Sequence, residues 1–151
     1  VEISGALKNV IAMVAGAVDG LKLGNNARAA VITRGLAEIV RIGVKLGADP
    51  LTFLGLSGVG DLILTCTGDL SRNRQFGLRM SLGESKVKIK QSMMQVVEGI
   101  ATTNSANELC KKLGIDTSII NTAYKVLYED FPIKDAVSLL IERQQGSEIN
   151  W

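Results

Sequence analysis

The chain has 151 residues, of which 46% are hydrophobic, and its 17 Lys and Arg residues are balanced by 15 Asp and Glu residues. This length and composition predict one domain, over residues 1–151, with a sizeable core that needs no disulfide bond. The sequence contains no histidine, which excludes Ser-His-Asp and Cys-His catalysis, imidazole metal ligands and a histidine pH switch. A general acid or base must therefore be Asp, Glu, Lys, Tyr or Cys.

The remaining composition excludes several further classes of protein. Cys66 and Cys110 lie far apart in the sequence, which predicts buried reduced thiols in a cytoplasmic protein and no metal site. An aromatic content of 4% and a net charge of +2 argue against a nucleic-acid-binding module. We expect no membrane span, because no apolar run reaches the roughly 20 residues that a spanning helix needs. Helical periodicity already begins at Ile3, so we expect the chain to be part of a longer protein.

The first half of the chain predicts two long helices. Apolar residues recur at spacings of three and four over 3–24, flanked by small residues that let neighbouring helices approach closely. A second helix is predicted over 26–46, with Arg34, Glu38 and Arg41 expected to form an exposed ladder of charges. The sequence Gly47-Ala48-Asp49-Pro50 ends this helix and starts a short one, with Asp49 as its N-cap.

The second half predicts three further helices, near 98–113, 117–129 and 132–144, with Gly114 ending the first and Thr117 capping the next. Propensity leaves 58–66 open as a strand or a helix, and residues 84–97 are equally ambiguous. There is no alternation of strands with helices and no repeat. The pattern predicts an all-α, multi-helix domain.

Lys8 is the first candidate for chemistry. It falls beside the apolar stripe of the first helix, next to Ala12 and Ala15, and no carboxylate lies within reach on the same helix. A sheltered lysine of this kind suits acid–base catalysis near neutral pH. The alternative is a side chain that extends to solvent along an apolar surface.

The segment 58–74 is the second candidate. If it is helical, Asp61 and Thr65 share one face, and a hydroxyl, a guanidinium and an amide follow at the next helix start: Ser71, Arg72 and Asn73. These groups suit a phosphate ester; the alternative is an ordinary capped helix with solvated arginines. Gly58 and Gly60 do not form a dinucleotide-binding loop, because no strand precedes them and Ile63 occupies the third glycine position.

Charge is also uneven along the chain. Residues 71–90 contain six basic side chains and one acidic one, a local net charge of +5. This segment predicts that a small anion is bound or steered there, with surface solubility as the alternative for its lysines. Glu98, at the start of a predicted helix, is favoured there by the helix dipole.

Several motifs, in order along most of the chain, give the sequence a family resemblance: Gly5–Val10, Asp19–Leu21, Ile32–Glu38, Thr52–Leu62, Ser71–Asn73 and Val96–Gly99. Together they resemble the C-terminal, substrate-binding domain of the bacterial NAD(P)-dependent glycerol-3-phosphate dehydrogenases. The resemblance implies a helical fold of the 6-phosphogluconate-dehydrogenase C-terminal-like type. It also implies an N-terminal Rossmann domain that is absent from these 151 residues.

The resemblance implies interconversion of sn-glycerol 3-phosphate and dihydroxyacetone phosphate with NAD or NADP, for glycerophospholipid synthesis in the cytoplasm. Lys8 would then be the general acid/base and contact the substrate, which is also held by Asp61, Ser71, Arg72 and Asn73. The cofactor would be contacted by Arg72, Val96 and Glu98, with Asn9 and Thr65 nearby and no metal. Relatives of this kind commonly form homodimers.

One alternative stays open: a non-catalytic helical domain that binds a phosphorylated metabolite or a partner protein. Under the dehydrogenase interpretation, the isolated domain is expected to be inactive, because most of the cofactor site would lie in the Rossmann domain.

Overall fold

The computed structural model describes residues 2–53, 55–93 and 97–143. The elements described are all helical, which confirms the predicted all-α class. The described residues form eight α-helices: α1 Glu2–Gly20, α2 Asn25–Lys45, α3 Leu56–Thr67, α4 Arg72–Ser81, α5 Lys86–Ser92, α6 Glu98–Leu113, α7 Ser118–Tyr128 and α8 Ile133–Arg143. A short 3₁₀ turn, Pro50–Thr52, lies between α2 and α3.

Most predicted boundaries agree with the structure within one or two residues. The ambiguous segment 58–66 is helical and lies within α3, and the segment 84–97 contains the helix α5. The first helix ends at Gly20, four residues earlier than predicted, because the chain turns through Lys22 at a φ of 57°. Gly24 instead adopts a φ of 96° and is the N-cap of α2.

Helix α1 lies at the centre of the fold. Val10, Ile11, Ala15 and Val18 on it are completely buried, and it contacts α2, α3, α4, α6, α7 and α8. Its segment Ile3–Gly20 is long and apolar enough to cross a membrane by length and composition alone, as the buried core helix of a globular fold also is. The absence of a membrane span therefore stays a prediction.

The closest contact of α1 is with α4, and glycines make it possible. A Cβ atom on Gly16 of α1 would overlap the carbonyl oxygen of Arg74, and one on Gly77 of α4 would overlap the carbonyl oxygen of Met13. A Cβ atom on Gly20 would lie 2.8 Å from the carbonyl oxygen of Leu78. The two backbones therefore touch directly, and residues with side chains would push the helices apart.

The predicted ladder of exposed charges on α2 is wrong at Glu38, whose exposed fraction is 1%. Its carboxylate accepts hydrogen bonds from the N–H groups of Ile119 at 2.8 Å and Ile120 at 3.3 Å, and from the Ser118 hydroxyl at 3.1 Å. Thr117 occupies the N-cap position of α7, as predicted, but its side chain does not cap the helix. Glu38 satisfies the first-turn N–H groups from across the core instead.

The buried Glu38 predicts a specific dependence of stability on pH. Burial raises the pKa of its carboxyl group above the ordinary value of 4.5, and the hydrogen bonds from Ile119, Ile120 and Ser118 only partly oppose this. A carboxyl group whose pKa is higher in the folded state than in the unfolded state stabilises the folded state below the unfolded-state pKa. This contribution is lost as the pH rises through the folded-state pKa.

We therefore compare wild type with Glu38→Gln, whose amide does not titrate. The free energy of unfolding of wild type, relative to that of the variant, should decline as pH rises above 4.5. Urea denaturation at several pH values from roughly 4 to 8 measures this difference. A difference that does not change with pH would contradict the prediction.

Candidate functional site

Four helices bring most of the predicted site residues to one side of the molecule. Lys8 and Asn9 lie on α1, Asp61 and Thr65 on α3, and Glu98 begins α6. Asn9 and Thr65 also line an open pocket of about 530 Å³, whereas Lys8, Asp61 and Glu98 are not among its lining residues. The lining comes from α1, the end of α3, the loop that follows it and the start of α4: Asn9, Leu64, Thr65, Gly68, Asp69, Leu70, Ser71, Arg72 and Asn73.

Lys8 is paired across the helix interface rather than along its own helix. Its Nζ atom lies 3.7 Å from Oδ2 of Asp61, and the Lys8 side chain is 21% exposed whereas that of Asp61 is 59% exposed. The lysine is therefore largely sheltered and has one carboxylate partner beside it. This position favours a directed ammonium group over a side chain that extends freely into solvent.

Helix α3 places Asp61 and Thr65 one turn apart on the same face, as a helical interpretation of the segment requires. The Thr65 hydroxyl donates a 2.7 Å hydrogen bond to the backbone carbonyl of Asp61. This local bond fixes the hydroxyl within its own helix. Its oxygen keeps lone pairs that can accept a hydrogen bond at the pocket wall.

The start of α4 carries three polar groups in consecutive positions. Ser71 is the N-cap, and its Oγ accepts a hydrogen bond from the N–H of Arg74 at 3.2 Å, which leaves the hydroxyl proton free to donate. The Arg72 side chain is exposed and makes no hydrogen bond or ion pair with the part of the chain that the structure describes. Free N–H groups and the helix dipole make such a helix start attractive to an anion.

Two asparagines connect this region to the start of α6. Oδ1 of Asn73 accepts a 2.8 Å hydrogen bond from the N–H of Gly99, and Nδ2 of Asn9 donates to Oε2 of Glu98 at 3.4 Å. Sequence reasoning found Glu98 but missed Gly99. Gly99 ends the motif Val96–Gly99 and follows Glu98 at a predicted helix start, but neither signal gave it a role.

The basic segment 71–90 does not form one anion-binding patch. Arg74 is paired with Asp19 at 2.9 Å and with Asp69 at 3.1 Å, and Lys86 donates to the carbonyl of Leu127 at 2.6 Å. Of the six basic residues of the segment, Arg72 is the one among the lining residues of the pocket. A net charge counted along the sequence overlooked the acidic partners that folding brings from elsewhere.

Arg79, another member of this segment, is engaged by Glu84 through two hydrogen bonds of 2.7 and 2.9 Å. Those bonds hold the pKa of Glu84 below its ordinary value. Glu84 therefore neutralises the charge of Arg79, whose guanidinium also donates a 2.7 Å hydrogen bond to the Ser92 hydroxyl.

Other sequence candidates contribute less. Val96 lies outside the described residues. Cys66 and Cys110 are free and buried, and burial raises the pKa of the Cys66 thiol to about 12, so it is not an activated nucleophile. Within the described ranges, no group of three or more Asp, Glu or Cys side chains is placed to hold a metal ion.

Two neighbouring arginines should respond differently to truncation. Arg74→Ala should lower the free energy of unfolding by about 1–2 kcal/mol, because the variant leaves Asp19 partly buried beside one remaining partner, Arg28. Arg72→Ala should change it by less than about 0.5 kcal/mol, because that side chain is exposed and unpaired within the described chain. Urea denaturation of both variants measures these values, and equal losses would contradict the assignment.

Comparisons with known proteins identify the family of this chain. Residues 1–138 match the family described as "NAD-dependent glycerol-3-phosphate dehydrogenase C-terminus". Proteins named glycerol-3-phosphate dehydrogenase [NAD(P)+] from Nitrosomonas eutropha and Leptospira biflexa are 53% and 55% identical over 98% of this chain. The chain spans 45% and 44% of the length of those two relatives.

Solved structures show the same likeness. The crystal structure of glycerol-3-phosphate dehydrogenase from Coxiella burnetii superposes with a TM-score of 0.91 at 43% identity, over 94% of this chain and 44% of the other. The chain belongs to the family of NAD-dependent glycerol-3-phosphate dehydrogenase C-terminal domains.

Proposed function

We propose that this chain is the substrate-binding and proton-transferring part of a glycerol-3-phosphate dehydrogenase that interconverts sn-glycerol 3-phosphate and dihydroxyacetone phosphate. The observation that carries the proposal is that the same helices carry two kinds of group, an acid–base pair and a set of polar side chains suited to a phosphate. The polar start of α4 shares a pocket with Asn9 of α1 and Thr65 of α3. The Lys8–Asp61 pair joins the same two helices, since Lys8 directly precedes Asn9 and Asp61 lies one turn before Thr65. A small phosphate ester with a reactive oxygen a few bonds from its phosphate suits this arrangement.

In this proposal the substrate phosphate binds at the start of α4. Arg72 offers a free guanidinium, which can form two parallel hydrogen bonds to a phosphate. The hydroxyl of Ser71 and the amide of Asn73 add donors from adjacent positions. Because Asp19 and Asp69 neutralise Arg74, this second arginine serves the structure of the helix rather than the ligand.

Lys8 is proposed as the general acid in ketone reduction and the general base in the reverse direction. As a hydride reaches C2 of dihydroxyacetone phosphate, the carbonyl oxygen gains negative charge, and the Lys8 ammonium both stabilises that charge and donates the proton. Asp61, 3.7 Å away, orients the ammonium and can accept a hydrogen bond from the C1 hydroxyl of the substrate. The absence of histidine leaves the role of acid to a side chain of this type.

The proposed cofactor is NAD or NADP, which supplies or accepts the hydride when it is bound. The residues at the site fit such a group, because Arg72 has an unpaired guanidinium within the described chain and Glu98 is exposed at the start of α6. Arg72 would contact both the substrate and the cofactor. Val96 and Glu98 are proposed to contact the nicotinamide nucleotide.

The partners and location follow from the same proposal. Because the relatives are more than twice as long as this chain, we propose that residues 1–151 act as one substrate domain beside an N-terminal Rossmann domain, and that the enzyme forms a homodimer. Two free buried cysteines suit a reducing cytoplasm, where the product would enter glycerophospholipid synthesis. No nucleic acid or membrane span is part of the proposal.

The test joins the N-terminal half of the Nitrosomonas eutropha relative to this chain and measures reduction of dihydroxyacetone phosphate by NADH and NADPH. We expect the joined protein to be active and the 151-residue chain alone to be inactive. Lys8→Ala in the joined protein should lower kcat by about a hundredfold or more, since it removes the proton donor.

Lys45→Ala is the matched control, because Lys45 is an exposed lysine at the end of α2, away from the pocket. It should leave kcat within about twofold of wild type, and both variants should unfold at the wild-type temperature. Unchanged turnover in Lys8→Ala would reject the assignment of the acid. Phosphate-ester binding without any turnover in the joined wild type would instead support the non-catalytic alternative.

A further inference from the structure

Gly99 belongs to the motif Val96–Gly99, but neither the sequence nor the family resemblance assigns it a role at the site. It is the second residue of α6, a helix whose N-cap residue, Val97, has no side chain able to cap it. The first N–H groups of such a helix lack partners within the helix. Oδ1 of Asn73, from the start of α4, accepts the Gly99 N–H at 2.8 Å.

This hydrogen bond determines which end of the Asn73 amide is free. Because Oδ1 accepts the hydrogen bond from Gly99, the remaining polar group is the amide Nδ2H₂, and it donates to no residue that the structure describes. A phosphate oxygen is only an acceptor, so a ligand phosphate needs donors. The Gly99 N–H therefore leaves Asn73 with its donor end free, beside the free guanidinium of Arg72.

The space around Gly99 makes the position specific for glycine. A Cβ atom there would lie 2.6 Å from Oδ1 of Asn73, 2.9 Å from Cε of Met13 and 3.1 Å from the carbonyl oxygen of Asn9. The first of these contacts is with the same oxygen that receives the hydrogen bond. Any side chain would therefore displace the Asn73 amide or move α6 away from it.

We infer that Gly99 is a positioning residue, which holds the Asn73 amide through its backbone N–H so that the amide Nδ2H₂ of Asn73 donates to the phosphate of the substrate. The inference rests on the proposed function for the identity of the ligand. The hydrogen bond on which it depends is independent of that identity, so the two can be tested separately.

The first experiment needs no catalysis. Amide hydrogen exchange of Gly99, followed by NMR in the 151-residue chain, should become at least about tenfold faster in Asn73→Ala, which removes the acceptor. In Asn73→Asp the exchange should stay slow, because a carboxylate oxygen can still accept the bond at a helix N-terminus. Exchange that is unchanged in Asn73→Ala would overturn the inference.

The second experiment uses the chain joined to the cofactor half. Gly99→Ala should raise KM for dihydroxyacetone phosphate by about tenfold with a smaller change in kcat, because it displaces a group that binds the phosphate rather than the reacting oxygen. Asn73→Asp should raise KM at least as much, although it keeps the hydrogen bond to Gly99, since it replaces the donor with an acceptor.

Two comparisons separate positioning from a general structural effect. In the Asn73→Ala background, adding Gly99→Ala should raise KM by less than about twofold, because the Asn73 amide that it would displace is already absent. Gly55→Ala is the matched control, since a Cβ atom there meets nothing within 4 Å, and it should leave KM unchanged. An equal rise in KM from Gly99→Ala in both backgrounds would overturn the inference. If the joined wild type reduces no dihydroxyacetone phosphate, the proposed function fails, and the exchange experiment alone decides whether Gly99 holds Asn73.

Discussion

The direct contact between the backbones of α1 and α4 is the constraint on which the rest of the site depends. Gly16 and Gly77 remove the side chains that would separate these helices. Lys8 lies about two turns before Gly16, and the polar start of α4 lies between one and two turns before Gly77. Fixing this one helix pair therefore fixes the spacing between the proposed acid and the proposed phosphate site.

Two helices in the second half are capped from outside their own segment, and both caps connect distant parts of the chain. The Glu38 carboxylate on α2 accepts the first N–H groups of α7, and the Asn73 amide on α4 accepts the Gly99 N–H of α6. In each case a side chain accepts hydrogen bonds from N–H groups at a helix start, and those N–H groups would be costly to bury without a partner. The first cap lies in the core, and the second one connects α4 with α6 beside the proposed site.

Periodicity and turn chemistry were enough to locate the long helices and the break at Gly47–Pro50, because these signals act within a few residues. The short apolar segment at 58–66 stayed ambiguous, since strands and buried helices use the same residues there. Glu38 looked like a surface charge because its partners lie some eighty positions away. Arg74 and Gly99 could not be assigned for the same reason: Asp19 and Asn73, which define their roles, become neighbours only in the folded chain.

The most direct test of this account is the free energy of unfolding of Gly77→Ala, measured by urea denaturation beside the Gly55→Ala control. A methyl group at position 77 would overlap the carbonyl oxygen of Met13, and two packed helices cannot separate locally without losing contacts along their length. The account predicts a loss of about 2–4 kcal/mol for Gly77→Ala and less than about 1 kcal/mol for Gly55→Ala. Equal stability of the two variants would contradict it, because the helices would then have room for a side chain at their closest point.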